Sequence, residues 1–594
     1  MASGGSRASG IMRRLSSKLT ERNCLLFLLA LFIVLSILIA SILYLPEKDL
    51  ADATTNHIWV EYYSKGIYIV PYSEWTNGMT QSVVVLYNGV YTVVNEKGPG
   101  HAMMLVPFHV LGIEPLFGPV MMAFAVFSAY MLGKRLLGWR VGFLGAVLVL
   151  TNVTVLVMWY RYYWTDASTM HMLVLSIWLL VEANYWFNGK SLDPRKEQKA
   201  TTRQRSLAAG LGVLSGLAFG ASVSTRYATA LVLVALLFYL VAFYFVRSWP
   251  HLRKRQALRA LKETGGFWLI LAVFLLGLMC VLVPLMKYNT DYFGSPFKSG
   301  YDATILMQFD PARGLSPRNT SSTWSSGLMS SLSTTLGNFG SILPTLVTRV
   351  PALLIVPLGI WVLRKRPLVL IFLLLWIVIN LATYLSLAWV DMYANIPAGV
   401  MHEPRYFLPS LPPIAIVAGA GIVGLAGWVV RKTAREGIDA DRKRARKTIV
   451  AGAVIGMLAL SGLVPAANYF ATMQYGGALQ PRPGGPPPGQ PILVTTDQLA
   501  NNPSMYNGSI VRVLNCTVLS VNGNIIRILS PGSVRMNGTI VRLDAFPPGQ
   551  LSQVHVGDRV EITGHFVVRL LPNQKLETFI GVRYGTPDLF RILP

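Results

Sequence analysis

Long apolar stretches recur along this 594-residue chain, and they constrain its fold more than any other feature of the sequence. About eleven of them approach the roughly 20 residues that a helix needs to cross the hydrocarbon core of a bilayer. They lie near 24–44, 114–133, 141–159, 168–187, 206–223, 227–246, 266–286, 345–363, 367–389, 409–430 and 448–469. The sequence therefore predicts a polytopic α-helical membrane protein.

The charge composition agrees with a membrane protein and indicates its orientation. Only 13% of the residues are charged, against about 25% in a typical soluble protein. The formal net charge is +25, but Lys and Arg are concentrated in alternate loops, such as 189–205, 247–262 and 431–447. This asymmetry is typical of cytoplasmic loops. It predicts an inside N-terminus and an outside C-terminus, and it argues against a nucleic-acid partner.

The N-terminal segment, residues 1–23, is basic, and we expect it in the cytoplasm. No small-residue cleavage site follows the first apolar stretch, which predicts an uncleaved span in the plasma membrane. Residues 24–470 are then the transmembrane domain, with long outer-face loops at 45–113 and 287–344. The three cysteines, Cys24, Cys280 and Cys516, are widely scattered, so no disulfide framework or zinc motif is visible.

The residue pattern changes in the C-terminal part of the chain. Residues 471–491 are rich in Pro and Gly, which is typical of a linker. Residues 492–594 contain short stretches of alternating apolar and polar residues separated by turn residues. They predict a small extracytoplasmic all-β barrel, and "VGDRVEITG" is similar to part of an OB-fold. Such barrels bind oligosaccharides or oligonucleotides, but a purely structural or docking role fits the sequence equally well.

Charged side chains near the ends of the spans are the first candidates for a functional site, because charges at membrane depth are costly. Asp52, Asp166, Lys97, Arg226 and Arg405 all fall on the predicted outer side. A carboxylate there could deprotonate an acceptor hydroxyl, and the cations could hold a phosphate leaving group. Each also has a simpler interpretation, because Asp caps helices and Arg extends its charge from a span end toward water.

The stretch "VVNEKGPGHAMMLVPFHVLG" raises the same alternative for Lys97. Pro99 and its flanking glycines suit a helix start, whereas Lys97 could instead face an anionic ligand at the membrane surface. Histidines are dispersed, and none has the spacing of a metal-binding pair. No cofactor follows from the sequence, and the two carboxylates permit a divalent metal without requiring one.

Five stretches follow one another within roughly 24–430: "YNGVYTVVNEKGPGHAMMLVPFHVLG", "RYYWTDASTMHMLVLSIWLL", "GLAFGASVSTRYATALVLVALLFYLV", "YNTDYFGSPFKSGY" and "EPRYFLPSLPPIAIVAG". In this order they resemble the GT-C glycosyltransferases that use polyprenyl-phosphate sugars, particularly the protein O-mannosyltransferase and aminoarabinose-transferase relatives. The resemblance implies a first-loop Asp as catalytic base, which Asp52 matches best. Ala53 replaces the Glu that usually follows, so Asp49 is a rival and Glu61 a distant third.

The same resemblance implies roles for other outer-face residues. Asp166 matches the second-loop acid, and Lys97, Arg226 and Arg405 match basic positions near the donor phosphate. Further residues on the same side are candidates for contact with substrate: Glu61, Tyr62, His101, Tyr163, Tyr288, Tyr301 and Glu403.

The resulting hypothesis is a membrane glycosyltransferase that transfers a sugar from a polyprenyl- or dolichyl-phosphate donor to an acceptor hydroxyl on the extracytoplasmic face. A single displacement with an Asp base would invert the anomeric centre. Three alternatives stay open. "AWVDMYANIP" faintly resembles an oligosaccharyltransferase motif. A transporter would show internal repeats with broken central helices, and none is visible. An inactive scaffold presenting the barrel is the third. The sequence does not identify the sugar, the lipid length or the acceptor.

Overall fold

The computed structural model describes most of the predicted membrane domain and the strands of the C-terminal part. The described residues are 20–42, 51–71, 82–96, 98–160, 163, 165–194, 200–300, 307–310, 314–317, 332–385, 405–435, 492–501, 510–522, 525–530, 539–544, 553–570, 576–583 and 590–593. They divide into two compact units. The first comprises 1–68, 95–303 and 320–470, and the second comprises 69–94, 304–319 and 471–594.

The first unit is helical. Its α-helices are α1 (Glu21–Ile42), α2 (Ala51–Ser64), α3 (Gly100–Val110), α4 (Phe117–Leu137), α5 (Trp139–Leu150), α6 (Val153–Tyr160), α7 (Thr165–Phe187), α8 (Thr202–Thr225), α9 (Leu233–Arg253), α10 (Ala257–Phe293), α11 (Leu332–Arg349), α12 (Val356–Leu363), α13 (Pro367–Leu385) and α14 (Leu411–Arg435). Short 3-10 helices precede four of them, at Glu114–Leu116, Tyr227–Val232, Pro351–Ile355 and Arg405–Ser410.

This unit confirms the prediction of a polytopic helical membrane protein. Within the described residues, 8 helices are long and apolar enough to cross a membrane. A further pair, Ile342–Arg349 and Pro351–Leu363, would make a ninth span if it acts as one, although it bends by 93°. The number of about eleven spans stays a prediction, because the described residues do not cover the whole chain. The last predicted stretch, 448–469, lies outside the described residues.

The predicted span at 141–159 is two helices, and Asn152 explains the break. The side-chain oxygen of Asn152 accepts hydrogen bonds from the backbone amides of Thr154 and Val155, at 3.0 and 3.3 Å. This is the arrangement of a helix N-cap. Its side-chain nitrogen donates to the backbone oxygen of Arg349 at 2.9 Å. One polar residue in an apolar run therefore ends α5, starts α6 and joins them to the end of α11.

Helices α8 and α10 cross closely, and glycines allow their backbones to come into contact. A Cβ on Gly216 would lie 2.0 Å from the backbone oxygen of Phe274, and a Cβ on Gly277 would lie 2.0 Å from that of Val213. Small residues commonly allow this approach in membrane helices. Any larger residue at either position would therefore push the two helices apart.

Ion pairs between α4 and α7 occur far along α7 from Asp166. Arg135 on α4 donates two hydrogen bonds to Glu182 on α7, at 2.5 and 2.6 Å, and Trp186 donates a third at 2.9 Å. Glu182 lies about 24 Å from Asp166 along α7, at a rise of about 1.5 Å per residue. The helix thus carries one buried charge cluster near each end.

The second unit contains two sheets. Strands β1 (Val70–Pro71), β2 (Ser82–Tyr87), β3 (Val90–Asn95), β4 (Met307–Asp310) and β5 (Gly314–Pro317) pair in the order β1-β3-β2-β4-β5. They come from the two long loops of the sequence, and their sheet belongs to the same unit as the C-terminal residues.

The second sheet is built from the C-terminal residues. It contains β6 (Ile492–Leu493), β7 (Ile510–Asn522), β8 (Ile525–Leu529), β9 (Thr539–Asp544), β10 (Arg559–Leu570), β11 (Leu576–Arg583) and β12 (Phe590–Leu593), with a short helix α15 (Thr496–Asn501) after β6. β7 pairs with β8, β8 with β9, β9 with β11, β11 with β10, and β10 again with β7. These pairings form a ring of five strands around buried aliphatic side chains. The assignment of this part as an OB-like domain stays a prediction.

Candidate functional site

A buried carboxylate between two arginines forms the centre of the candidate site. Asp166 lies in the first turn of α7, Arg226 at the C-cap of α8, and Arg405 at the start of the 3-10 helix that leads into α14. Asp166 Oδ1 is 2.7 Å from Arg226 Nη2, and Asp166 Oδ2 is 3.5 Å from Arg405 Nε. The side chain of Asp166 is 2% exposed, and those of Arg226 and Arg405 are 12% and 10% exposed. These three residues therefore place two guanidiniums around one carboxylate.

An aromatic side chain lies against both arginines. The Tyr406 ring centroid is 5.0 Å from Arg226 Cζ and 4.9 Å from Arg405 Cζ, within the range of cation–π attraction. Arg405 Nη2 also donates a hydrogen bond to the Tyr406 hydroxyl at 2.9 Å. Tyr384 on α13 packs against Tyr406 with ring centroids 5.6 Å apart. Together these contacts fix the planes of the guanidiniums.

Hydroxyl groups hold the helix ends that carry Asp166 and Arg226. Thr169 on α7 and Thr225 on α8 share a hydrogen bond of 2.8 Å, and Ser222 donates to the backbone oxygen of Thr169 at 2.9 Å. All three side chains are buried. The start of α7 and the end of α8 are thus joined within one helical turn of Asp166 and Arg226.

The segment around Lys97 packs tightly against the end of α8. A Cβ on Gly98 would lie 2.1 Å from the backbone oxygen of Ser224, and a Cβ on Gly100 would lie 1.9 Å from the Ser224 hydroxyl oxygen. Ser224 is two residues before Arg226. Lys97 itself lies outside the described residues, but its neighbours on both sides are placed. Close backbone approach therefore explains both glycines, in addition to the helix start that Pro99 provides as the residue before α3.

His101, one of the predicted contact residues, contacts α7 at a residue two positions after Asp166. It is buried at the start of α3, and its Nδ1 is 3.0 Å from the hydroxyl of Ser168 on α7. Tyr288 is buried near the end of α10, and its hydroxyl donates to the backbone oxygen of Asn95 at 3.4 Å. Tyr63 is buried too, and this burial raises the pKa of its hydroxyl.

Glu61 and Tyr62, two of the predicted site residues on α2, contact residues of their own segment and not the Asp166 cluster. Glu61 is exposed and pairs with Lys65 at 2.8 Å, and this hydrogen bond lowers the pKa of the Glu61 carboxyl. Tyr62 is half-buried, and its ring centroid is 6.0 Å from that of Trp59. The backbone of Asp52 is in the first turn of α2, but its side chain lies outside what the structure describes, as do Asp49, Tyr301 and Glu403.

Tyr163 is buried just before α7, with its hydroxyl between His57 and Glu114. The sequence interpretation did not single out Glu114 or Tyr406. For Tyr406, a signal was available, because it follows Arg405 directly in a motif already selected. Glu114 had no comparable signal, since its partners are distant in the sequence.

An apolar cleft begins beside Arg405. It encloses about 350 Å³ of empty space, part of it open to solvent. Its walls are formed by Asn152, Thr154, Leu346, Val350, Leu353, Leu381, Phe407, Leu408, Leu411 and Ile414. Phe407 and Leu408 follow Arg405 in the same 3-10 helix. The cleft and the cluster of Asp166, Arg226 and Arg405 thus share the 3-10 helix Arg405–Ser410.

Metal binding has no evident site in the parts of the chain that are placed. Among the described residues, no group of three His, Cys, Asp or Glu side chains could hold a metal ion. Both oxygens of Asp166 already pair with arginines, Oδ1 with Arg226 and Oδ2 with Arg405.

Comparison with known proteins finds no matching family model and no matching curated protein. Among solved structures, the chain is similar to ArnT from Cupriavidus metallidurans bound to undecaprenyl phosphate. The identity is 12% and the TM-score 0.44, over 82% of this chain and 93% of that chain. It is also similar to the archaeal oligosaccharyltransferase AglB from Archaeoglobus fulgidus in complex with an inhibitory peptide and a dolichol-phosphate. Here the identity is 12% and the TM-score 0.42, and the match covers 74% of this chain but only 56% of AglB.

Proposed function

We propose that this chain is a membrane glycosyltransferase that moves a sugar from a polyprenyl-phosphate donor to an acceptor hydroxyl on the extracytoplasmic face. The observation that carries the proposal is the buried cluster of Asp166, Arg226 and Arg405. Planar guanidiniums bind phosphate through paired hydrogen bonds, and they do so best where water is largely excluded. The five motifs that resemble polyprenyl-phosphate-dependent transferases contain the same residues.

The apolar cleft beside Arg405 supports a lipid-linked donor. A polyprenyl phosphate has an anionic head and a long apolar chain, so its site needs cations next to an apolar wall. Arg405 and the cleft residues Phe407 and Leu408 provide this combination within one 3-10 helix.

In this mechanism, Asp52 is the base that removes the proton of the acceptor hydroxyl. The acceptor oxygen forms a bond to the anomeric carbon while the bond to the phosphate oxygen breaks, which inverts the anomeric centre. Arg226, Arg405 and Lys97 stabilise the negative charge that the leaving phosphate gains. Asp166 contributes through the arginines, because its two oxygens hold the guanidiniums in place.

The extracytoplasmic position of the site is part of the proposal and rests on the charge pattern. The basic stretch 189–205 follows the C-terminal end of α7, and the basic stretch 247–262 contains the end of α9 and the start of α10. Asp166 and Arg226 lie at the other ends of α7 and α8. If the basic loops are cytoplasmic, the cluster faces the outside.

The test is a transfer assay with the purified protein in lipid nanodiscs. Undecaprenyl- and dolichyl-phosphate sugars with a labelled sugar are added, and released polyprenyl phosphate and labelled product are measured. We expect release in the unmutated protein and a loss of at least about 100-fold in Asp52→Asn, since general base catalysis contributes about 10²–10⁴-fold. Asp193→Asn removes an exposed carboxylate beyond the far end of α7 and serves as the matched control.

Each part of the proposal fails on a different result. If no donor of either lipid class releases polyprenyl phosphate, the glycosyltransferase function is wrong. If transfer occurs but Asp52→Asn keeps the full rate, only the role of Asp52 is wrong, and Asp49→Asn is the next variant. A transporter would instead move the donor across the bilayer without releasing polyprenyl phosphate.

A further inference from the structure

A hydrogen-bonded network lies between α2 and the start of α7, outside the Asp166 cluster. It joins His57 on α2, His109 in the last turn of α3, Glu114 in the 3-10 helix that follows, and Tyr163 just before α7. Tyr163 is buried, and the other three are half-buried. The proposed reaction assigns no step to His57, His109 or Glu114.

The directions of these hydrogen bonds follow from the donors and acceptors that each group has. The Tyr163 hydroxyl donates to Glu114 Oε2 at 2.5 Å, so its oxygen is left to accept from His57 Nδ1–H at 2.7 Å. The other carboxylate oxygen of Glu114 accepts from His109 Nδ1–H. Both imidazoles therefore carry a proton on Nδ1. The carboxylate serves as the acceptor at the end of both chains of donors.

A second contact fixes the backbone of Tyr163 to the same helix. The side-chain amide of Asn56, which is buried, donates to the Tyr163 backbone oxygen at 2.7 Å. The His57 and Tyr163 rings meet edge to face, with centroids 5.0 Å apart. Two consecutive residues of α2 thus bind one tyrosine through its hydroxyl, its ring and its carbonyl.

Tyr163 lies between the two halves of the proposed active site. It is three residues before Asp166 in the sequence. On the other side, Asp52 precedes Asn56 by one turn of α2, about 6 Å along the helix. A shift of α2 relative to α7 would therefore change the distance between the base and the phosphate-binding arginines. Misplacement of a reacting group by about 1 Å can cost about 10²-fold in rate.

We propose that Tyr163, with His57 and Glu114, is a positioning network that holds the helix of Asp52 in register with the Asp166 cluster. This inference rests on the proposed function. Tyr163 acts through α2 and does not touch the reacting atoms. It sets how often the base is in place, so it governs kcat. It leaves donor affinity, which depends on Arg226 and Arg405, largely unchanged.

The first experiment is Tyr163→Phe, which removes one hydroxyl and keeps the ring and the Asn56 contact. We expect the amide hydrogen exchange of residues 51–64 to rise at least about 5-fold. We also expect kcat to fall about 10- to 100-fold with the donor KM within about 2-fold of the unmutated value. Tyr68→Phe is the control, because the Tyr68 hydroxyl makes no hydrogen bond among the described residues. It should change neither measurement.

A second variant guards against a folding defect in the first. Glu114→Met keeps the length of the side chain but has no oxygen, so it offers neither Tyr163 nor His109 a carboxylate acceptor. We expect the same faster exchange in α2 and the same fall of kcat at constant KM.

Unchanged exchange in α2 in both variants overturns the inference, as does faster exchange with an unchanged kcat. A rise in donor KM that accounts for the whole loss of activity also contradicts it, since it would assign Tyr163 to donor binding. An unmutated protein that transfers no sugar refutes the proposed function instead. The exchange measurement still decides independently whether the network holds α2.

Discussion

Replacing Asp166 with Asn tests whether the carboxylate holds the two arginines together. The substitution keeps the size of the side chain and removes its charge. At an effective dielectric constant of about 20, the attraction is about 6 kcal/mol for the Arg226 contact at 2.7 Å and about 5 kcal/mol for the Arg405 contact at 3.5 Å. Repulsion between the guanidiniums and the loss of hydration offset most of this sum. Removal of one partner from a buried ion pair typically costs about 3–5 kcal/mol, and we expect Asp166→Asn to lose stability in that range.

The measurement is a double-mutant cycle on unfolding in mixed detergent micelles, followed by tryptophan fluorescence. Asp166→Asn, Arg226→Met and the double variant are compared with the unmutated protein. The double variant removes one charge of each sign, so it should be more stable than the two single losses predict together. We expect a coupling energy of about 1–3 kcal/mol, the upper part of the range found for residues in contact.

Two results would refute this reasoning about the cluster. One is a free energy of unfolding for Asp166→Asn within about 0.5 kcal/mol of the unmutated value, as for an ordinary surface substitution. The other is additivity of the two single losses within about 0.5 kcal/mol, which is typical of distant sites. Asp193→Asn, an exposed carboxylate beyond α7, again serves as the control for the loss of one negative charge.

Two further predictions follow from close packing. Gly100→Ala places a methyl group 1.9 Å from the Ser224 hydroxyl oxygen, so we expect a loss of about 1–3 kcal/mol in unfolding free energy; Gly210→Ala, whose Cβ would meet nothing within 4 Å, should lose none. Cys516 is buried in the second unit, and burial raises the pKa of its thiol. A maleimide should therefore label Cys516 at pH 8 only after unfolding, as mass spectrometry of the labelled peptide can show. The pKa of the Cys516 thiol is higher in the folded protein than in the unfolded chain. Its contribution to folding stability should therefore be fully present below the ordinary thiol pKa and be lost as the pH rises through the raised pKa. Labelling of native Cys516 at the rate of a free thiol, or equal losses for the two glycine variants, would contradict these expectations.

The helical membrane fold could be predicted because hydropathy alone determines it. Most predicted spans coincide with helices to within a few residues, as at 168–187, which corresponds to α7. The break between α5 and α6 could not be predicted, since one Asn in an apolar run is compatible with a continuous helix. Its side-chain nitrogen also donates to the backbone oxygen of Arg349, a neighbour that only the tertiary structure brings close.

The candidate site shows the same division between what a sequence pattern specifies and what packing decides. The alternation of basic and neutral loops predicts that Asp166, Arg226 and Arg405 lie on one side of the membrane. The structure brings these three side chains into contact. Their catalytic roles stay predictions. The pattern of charged loops does not indicate which residues of different helices contact each other. The partners of Tyr163 were therefore not foreseen, because they are separated from it by many residues and by whole helices.

The position of Arg405 has a consequence for the biosynthesis of the protein. Ribosomes add about 5–20 residues per second, so Arg405 emerges about 10–35 s after Arg226, which lies about 180 residues earlier. During that interval, Asp166 and Arg226 are already present in the membrane, but the second guanidinium and the wall formed by Phe407 and Leu408 are absent. In the proposed function, a nascent chain is therefore unable to bind its donor until nearly all of its membrane helices have been inserted. Assembly order alone then protects the lipid-linked sugar from wasteful reaction at an incomplete site.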